Sequence, residues 1–216
     1  MGEELLMEGS AKRPRTRIQS EKRDVILEAA LDIFSANGFR GSTVDQIAEA
    51  AGMSKPNLLY YFRGKEDIHE TLIKQLLDTW LAPLRELDEE GDPLTEIRSY
   101  IRRKLKMARD FPRESRLFAN EILQGAPRII PMLEAELKPL VDEKAAVIRG
   151  WSRSGRIAKI DPWHLIFSIW ATTQHYADFD VQVRAVLGPD RGGEGRFEDA
   201  ARFLEHLYLD GLKVRN

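Results

Sequence analysis

Residues 43–62 read TVDQIAEAAGMSKPNLLYYF, and this stretch decides the fold. Thr43 and Ser54 are helix N-cap residue types, each set before a short apolar-periodic run. Gly52 ends the first run, and Pro56 falls early in the second, where its missing N–H does no harm. Val44, Ile47, Ala48 and Ala51 point inward from the first helix, and Leu58, Leu59 and Phe62 from the second. Small residues at Ala48 and Ala51 let the two helices cross closely and steeply, as in a helix-turn-helix. The second helix then exposes Lys55, Asn57, Tyr60 and Tyr61. Lysine suits phosphate or guanine, asparagine bonds an adenine edge, and tyrosine hydroxyls suit phosphate. Both helix N-termini also offer free backbone N–H groups to phosphate. The competing reading is an ordinary helical hairpin, but a solvated face rarely carries adjacent aromatics.

Working upstream, Ser20 is the expected N-cap of a helix carrying Val25, Ile26, Ala29, Ala30, Ile33 and Phe34 on one face, ended by Asn37-Gly38. Residues 1–17 show no helical period and contain Pro14, so a flexible arm is expected. Lys12, Arg13, Arg15, Arg17, Lys22 and Arg23 face only Glu21, a net of +5 over 12 residues in a chain of net charge −2. Such a basic arm on a mildly acidic body fits a localised polyanion contact, with Arg15 and Arg17 as DNA candidates. A solvated tail is the bland alternative.

Downstream of Gly64 a long segment runs to about Leu87. Further helical segments follow at 94–110, 114–124, 133–154, 162–187 and 197–214, about nine helices in all. Gly188–Gly195 is the long irregular connection. No segment alternates like a strand, so the fold class is all-α. The predicted organisation is an arm over 1–17, a three-helix DNA-binding domain over 18–64, and a helical effector-binding and dimerisation domain over 65–216.

Composition narrows the function. The 216 residues include no cysteine, which removes disulfides, cysteine-bound zinc and a cysteine nucleophile. No apolar run reaches the roughly 18 residues of a membrane span, and Met1–Gln19 does not resemble a signal peptide, so a cytoplasmic protein without membrane contact is expected. His164, His175 and Asp178 sketch a metal site without a forced third ligand. Gly192–Gly195 lacks the strand and Lys-Ser/Thr of a phosphate loop. The expectation is no catalysis, no metal and no cofactor; a helical metal-dependent enzyme is the alternative from a different class.

The ordered residues Ala29–Phe34, Gly38-Phe39, Thr43–Ala48, Ala51–Lys55, Leu59–Phe62 and Lys65-Glu66 resemble the DNA-binding domain of TetR-family transcriptional regulators. The resemblance implies a homodimeric, repressor-type protein acting on double-stranded operator DNA. By position, Thr43 matches the family's phosphate-contacting cap, with Ser42 beside it. Lys55, Pro56 and Asn57 match base-facing positions, and Tyr60, Tyr61 and Lys65 match backbone-clamping ones; Ser54 caps the recognition helix. Leu77–Leu84, Ser115–Phe118, Leu165–Ala171 and Thr173–Phe179 are similar to a pyrimidine-responsive branch of that family. This implies uracil or thymine as the effector, while a multidrug-type sensor remains the alternative within the class.

The residues themselves support a ligand less strongly. Thr172, Thr173, Gln174 and His175 follow a segment apolar almost all round, and buried polar groups need partners. Those partners are a small polar ligand, neighbouring helices or a dimer mate. Gln174 is the one amide there, and an amide both donates and accepts, as a pyrimidine edge requires. Trp170 lies one turn earlier on the same face, and Trp80 supplies a flat wall. Tyr100, Arg116 and Asn120 complete the ligand candidates. Phe203, Leu204, Leu207, Tyr208 and Leu212, at helical spacing near the C-terminus, are the expected dimer face, together with the helix 162–187.

Overall fold

The computed structural model describes residues 17–214. Arg15 and the rest of the arm before Arg17 lie outside the described residues. Within them the chain is helical, with no strand. Its helices are α1 (Arg17–Asn37), α2 (Val44–Ala50), α3 (Lys55–Tyr61), α4 (Lys65–Arg85), α5 (Pro93–Asp110), α6 (Pro112–Leu123), α7 (Ile130–Met132), α8 (Lys138–Arg153), α9 (Pro162–Asp178), α10 (Asp180–Arg191) and α11 (Arg196–Leu212). A π-helical turn, Leu133–Leu137, joins α7 to α8 in one helical run.

The short helices at the N-terminal end are set by their caps. Thr43 Oγ1 accepts from Gln46 N–H while Gln46 Oε1 accepts from Thr43 N–H, a full capping box. Ser54 Oγ accepts from Asn57 N–H. Gly52, at φ 65°, makes the turn between α2 and α3 in a conformation that costs glycine nothing. Ser20 does not cap α1. The helix already includes Arg17, whose guanidinium pairs with Glu21 one turn on, so Ser20 lies inside it.

Ile26, Ala30, Phe34, Ile47, Leu58 and Phe62 form the core of this head. Val25 and Leu59, expected inside, are exposed; Leu27 and Leu31 take the inward positions on α1. The head does not close its own core. Ile68, Leu72 and Ile73 of α4, with Leu117 of α6 and Ile129 before α7, complete it. Head and body therefore share one packed seam, along which α1 contacts α4 and α6.

In the body, α5 packs against α9 and α11, and α8 against α9. Leu84, Tyr100, Ile101, Trp151, Ile166 and Leu212 belong to its main core. Three expectations need correction here. The segment 162–187 breaks at Phe179 into α9 and α10. The connection expected over 188–195 is irregular only over 192–195: a short helical turn to Arg191 follows a kink at Gly188 (φ 71°), and Arg196 donates to the Gly192 and Gly193 carbonyls and to Asp180. Leu204 and Leu212 are buried in the monomer, at 3% and 1% exposure, and are not free for a partner. α11 is apolar on two sides, and Phe203 and Leu207 face outward instead.

Candidate functional site

The face formed by α2 and α3 carries most of the DNA candidates. Lys55, Pro56 and Asn57 open α3 and are exposed. Lys55 Nζ is held 2.9 Å from Asp45 Oδ2 of α2, so it must exchange this partner to reach a base. Tyr60 is 71% exposed and its hydroxyl accepts from Gln19 Nε2. Tyr61 is half-buried and meets Tyr60 edge to face. Arg23 ties α1 to the end of α3, donating to the Tyr61 carbonyl and lying 3.8 Å over the Phe62 ring. Arg17 is exposed at the start of α1.

Two candidates are placed differently. Ser42 is buried and donates to the Gly38 and Ile33 carbonyls, closing the turn after α1. The Lys65 ammonium donates to the Phe39 and Ser42 carbonyls at 2.8 Å each, so it braces this turn from below. Both side chains spend their polar atoms inside the head, on four backbone carbonyls in and before the turn. Thr43 is exposed beside them, with its backbone fixed by the capping box.

Behind the turn sits a polar node that the sequence did not announce. His69 of α4 is buried against the edges of Phe34 and Phe39. Its Nε2 lies 3.6 Å from Glu121 Oε2 of α6, itself buried. Arg128 Nη1 donates to Glu121, and its guanidinium stacks 3.5 Å over Phe39. Burial pushes the His69 imidazole down to about 4, against the pull of Glu121, so it is neutral near pH 7.

The ligand candidates converge in the body. Trp80, Tyr100, Trp170 and Gln174 line one cavity of about 40 Å³ with Leu77, Leu81, Leu84, Phe118 and Leu137. Trp170 Nε1 donates to the Tyr100 hydroxyl at 2.6 Å, and burial raises the pKa of that phenol. Trp80 Nε1 is buried without a hydrogen-bond partner. Thr172 and Thr173 bond back to the carbonyls of Ser168 and Ile169 one turn before, and Thr172 also meets the Tyr208 hydroxyl. His175 is exposed and stacks on Phe179. Of the four polar residues in that run, Gln174 alone lines the cavity.

Arg116 and Asn120 are not among the lining residues. Phe118 is the α6 residue that reaches the cavity, and two residues along a helix is about 200° around it. Lys104 of α5 was missed. It is 3% exposed, lines the cavity, and holds its ammonium 5.1 Å over the Trp80 ring. Burial pushes it down to about 7, while the Asp178 carboxylate pulls the other way. Asp178, raised by burial in its turn, accepts from Ser115 Oγ. The signal was present: Lys104 falls in the inward stripe Ile97, Tyr100, Ile101, Lys104, Leu105, Ala108. Among the described residues no three His, Asp or Glu side chains gather as a metal group, and no helix is long and apolar enough to cross a membrane.

A helix-turn-helix head sharing a seam with a helical body whose largely apolar cavity carries a lysine and a glutamine defines a ligand-responsive, DNA-binding transcriptional regulator. The comparisons agree. Residues 26–72 match the family model for bacterial regulatory proteins of the tetR family, and residues 73–215 match that for the C-terminal region of YcdC-like proteins. The chain belongs to the TetR family. It is 50% identical over 201 residues to the HTH-type transcriptional regulator RutR of Escherichia coli strain K12, covering 93% of this chain and 95% of RutR. Among solved structures, AibR in complex with isovaleryl coenzyme A and operator DNA aligns with a TM-score of 0.66 at 19% identity, over 86% of this chain and 97% of AibR. Salmonella enterica GusR aligns at 0.59 and 19%, over 88% and 96%. At these identities the structures speak for the fold alone.

Proposed function

We propose that the effector is a pyrimidine base, uracil or thymine, that binds in the cavity between α4, α5 and α9 and weakens operator binding, so that the protein acts as a repressor. The observation that carries this reading is the convergence of Gln174, Lys104, Trp80 and Trp170 on one enclosed space. Two indoles offer flat walls, Gln174 offers a donor and an acceptor, and the Lys104 ammonium and the unpartnered Trp80 Nε1–H offer donors. The sequence resemblance of α4, α6 and α9 to pyrimidine-responsive regulators supports the same ligand. A cavity of about 40 Å³ is well below the roughly 300 Å³ at which ordinary ligand pockets begin. The effector must therefore widen it, and that movement is the source of the signal. Phe118 of α6 and Trp80 of α4 are the walls whose displacement reaches the shared seam.

On this reading two copies pair through the outward faces of α9, α10 and α11. Phe167, Phe179, Val181, Val186, Phe203 and Leu207 are exposed there, more apolar surface than an isolated chain ordinarily leaves to water. The pair places two α3 helices in successive major grooves, about 34–36 Å apart or more. Lys55 and Asn57 read bases, while Thr43, Tyr60, Tyr61, Arg17 and the arm hold phosphates. Residues 18–64 are the DNA-binding unit and 65–216 the effector and dimer unit, joined through the shared core.

Calorimetry of the full-length protein with uracil, thymine and uridine tests the effector. The two bases should bind in the micromolar range, and the nucleoside, with a ribose to place, should bind far more weakly. Absence of heat from both bases, with operator binding intact, removes the pyrimidine and leaves a TetR-family regulator of another small molecule. Undiminished binding by Gln174→Ala and Lys104→Met would move the pocket elsewhere.

A further inference from the structure

A second concavity lies outside the effector cavity, along the seam between head and body. It is a groove of about 280 Å³ between α1, α4 and the start of α6. Leu76, Trp80 and Leu117 contribute to an apolar floor, and the rim carries Asp24, Glu28 and Glu114. Arg113 pairs with Glu28 and with Asp32 one turn further along α1, so its charge is taken up there. Among the described residues Asp24 and Glu114 have no ion-pair partner. Two carboxylates without an ion pair among the described residues thus flank an apolar trough of about 280 Å³. Trp80, more than nine-tenths buried, belongs to this floor as well as to the effector cavity.

We propose that this groove is a second small-molecule site, which takes organic cations with an apolar stem and an ammonium head. The stem would lie on the leucine floor and the Trp80 face, and the ammonium between Asp24 and Glu114. Charge complementarity selects the class. A neutral analogue would leave both carboxylates beside an apolar body without a counter-charge, and an anion would meet repulsion from both walls. Asp24 belongs to the head and Glu114 to the body, so a cation bridging them holds α1 against α6. It therefore acts on the angle between head and body, whatever the identity of the effector in the neighbouring cavity.

The test uses the full-length protein with 4-phenylbutylammonium as the probe and 4-phenylbutanol as its neutral counterpart. Calorimetry should show saturable binding of the ammonium and at least tenfold weaker binding of the alcohol. Asp24→Asn combined with Glu114→Gln removes charge from exposed or half-buried positions and should leave melting unchanged while weakening the ammonium at least tenfold. A second variant, Leu76→Phe, narrows the floor and should also weaken it with both carboxylates intact. Because Trp80 is shared and both ligands act on the same seam, saturating uracil should shift the ammonium affinity while leaving saturable binding. Equal binding of ammonium and alcohol, affinity that survives the double substitution, or loss of all saturable ammonium binding in uracil would each overturn the proposal. So would the absence of any heat from the ammonium.

Discussion

The head and the body are built from the same kind of helix, yet they treat their polar residues in opposite ways. In the head, polar side chains either cap helices and turns, as Thr43, Ser54 and Ser42 do, or stand out toward solvent, as Asn57 and Tyr60 do. In the body, polar groups are drawn inward around a cavity: Lys104, Gln174 and the Tyr100–Trp170 pair. The first arrangement presents a fixed surface to a large polyanion. The second gathers polar groups, with the unpartnered Trp80 Nε1–H beside them, where a small molecule can meet them. The His69–Glu121–Arg128 node lies between, touching the turn of one region and α6 of the other.

The largest effect should come from separating the two heads. Phe203→Glu with Leu207→Glu puts charge on the outward face of α11 and should yield monomers by sedimentation. Operator affinity should then fall by about 100-fold or more, because the second head no longer binds intramolecularly. Next come the bases. Lys55→Ala and Asn57→Ala should each cost about 1–3 kcal/mol on the operator and relax sequence preference. Tyr60→Ala should weaken all sequences alike. Lys65→Ala should differ in kind. It releases two carbonyls beneath the Thr43 turn, so a lowered melting temperature of the head is expected, and unchanged melting would restore the lysine to the DNA face.

Acid should distinguish the node from both regions. The folded His69 has its pKa depressed to about 4, below the unfolded 6.5, so the unfolded chain binds the extra proton between these values. The stability that neutral His69 preserves is complete above about pH 6.5 and is lost as pH falls toward 4, about 3 kcal/mol in all. Denaturant unfolding of wild type against His69→Gln between pH 7 and 4.5 measures this; parallel curves would show that the imidazole does not titrate in this way. In the body the sign is set by a lysine. Lys104 is a cation below about pH 7 and neutral above it. If its ammonium donates to the effector carbonyl, uracil affinity should weaken as pH rises from 6 to 8.5, and Lys104→Met should flatten the profile.

The smallest effect belongs to the arm. Removal of residues 1–16 should leave melting unchanged and make operator binding less steep in salt, as fewer counterions are released. An unaltered salt slope would take the arm off the DNA.

The same contrast explains what the sequence made legible. Caps and turn glycines are local signals, so Thr43, Gly52 and Ser54 could be placed without knowing what lay opposite. Which side of a helix meets which neighbour is not local. Leu59 and Val25 were assigned inward because they extend an apolar stripe, yet the shared seam needed Leu27 and Leu31 instead. Ser42 and Lys65 carry DNA-compatible chemistry, but Ser42 is buried by the turn's own closure and Lys65 meets that turn from more than 20 residues further along the chain. In α11 both faces are apolar, so core Leu204 and outward Phe203 could not be told apart. Tryptophan and glutamine announced the cavity, whereas Lys104 lies in the inward stripe of a strongly charged helix, where its residue type gives no local sign of burial.

Linkage between the two regions is the most direct test of the account. Operator affinity of the full-length protein is measured with and without saturating uracil, and uracil affinity with and without saturating operator, on wild type and on Gln174→Ala. The account predicts that uracil weakens operator binding, that the operator weakens uracil binding by the same factor, and that Gln174→Ala reduces uracil affinity while leaving operator affinity in its absence unchanged. Uracil that binds in the cavity without altering operator affinity would contradict it.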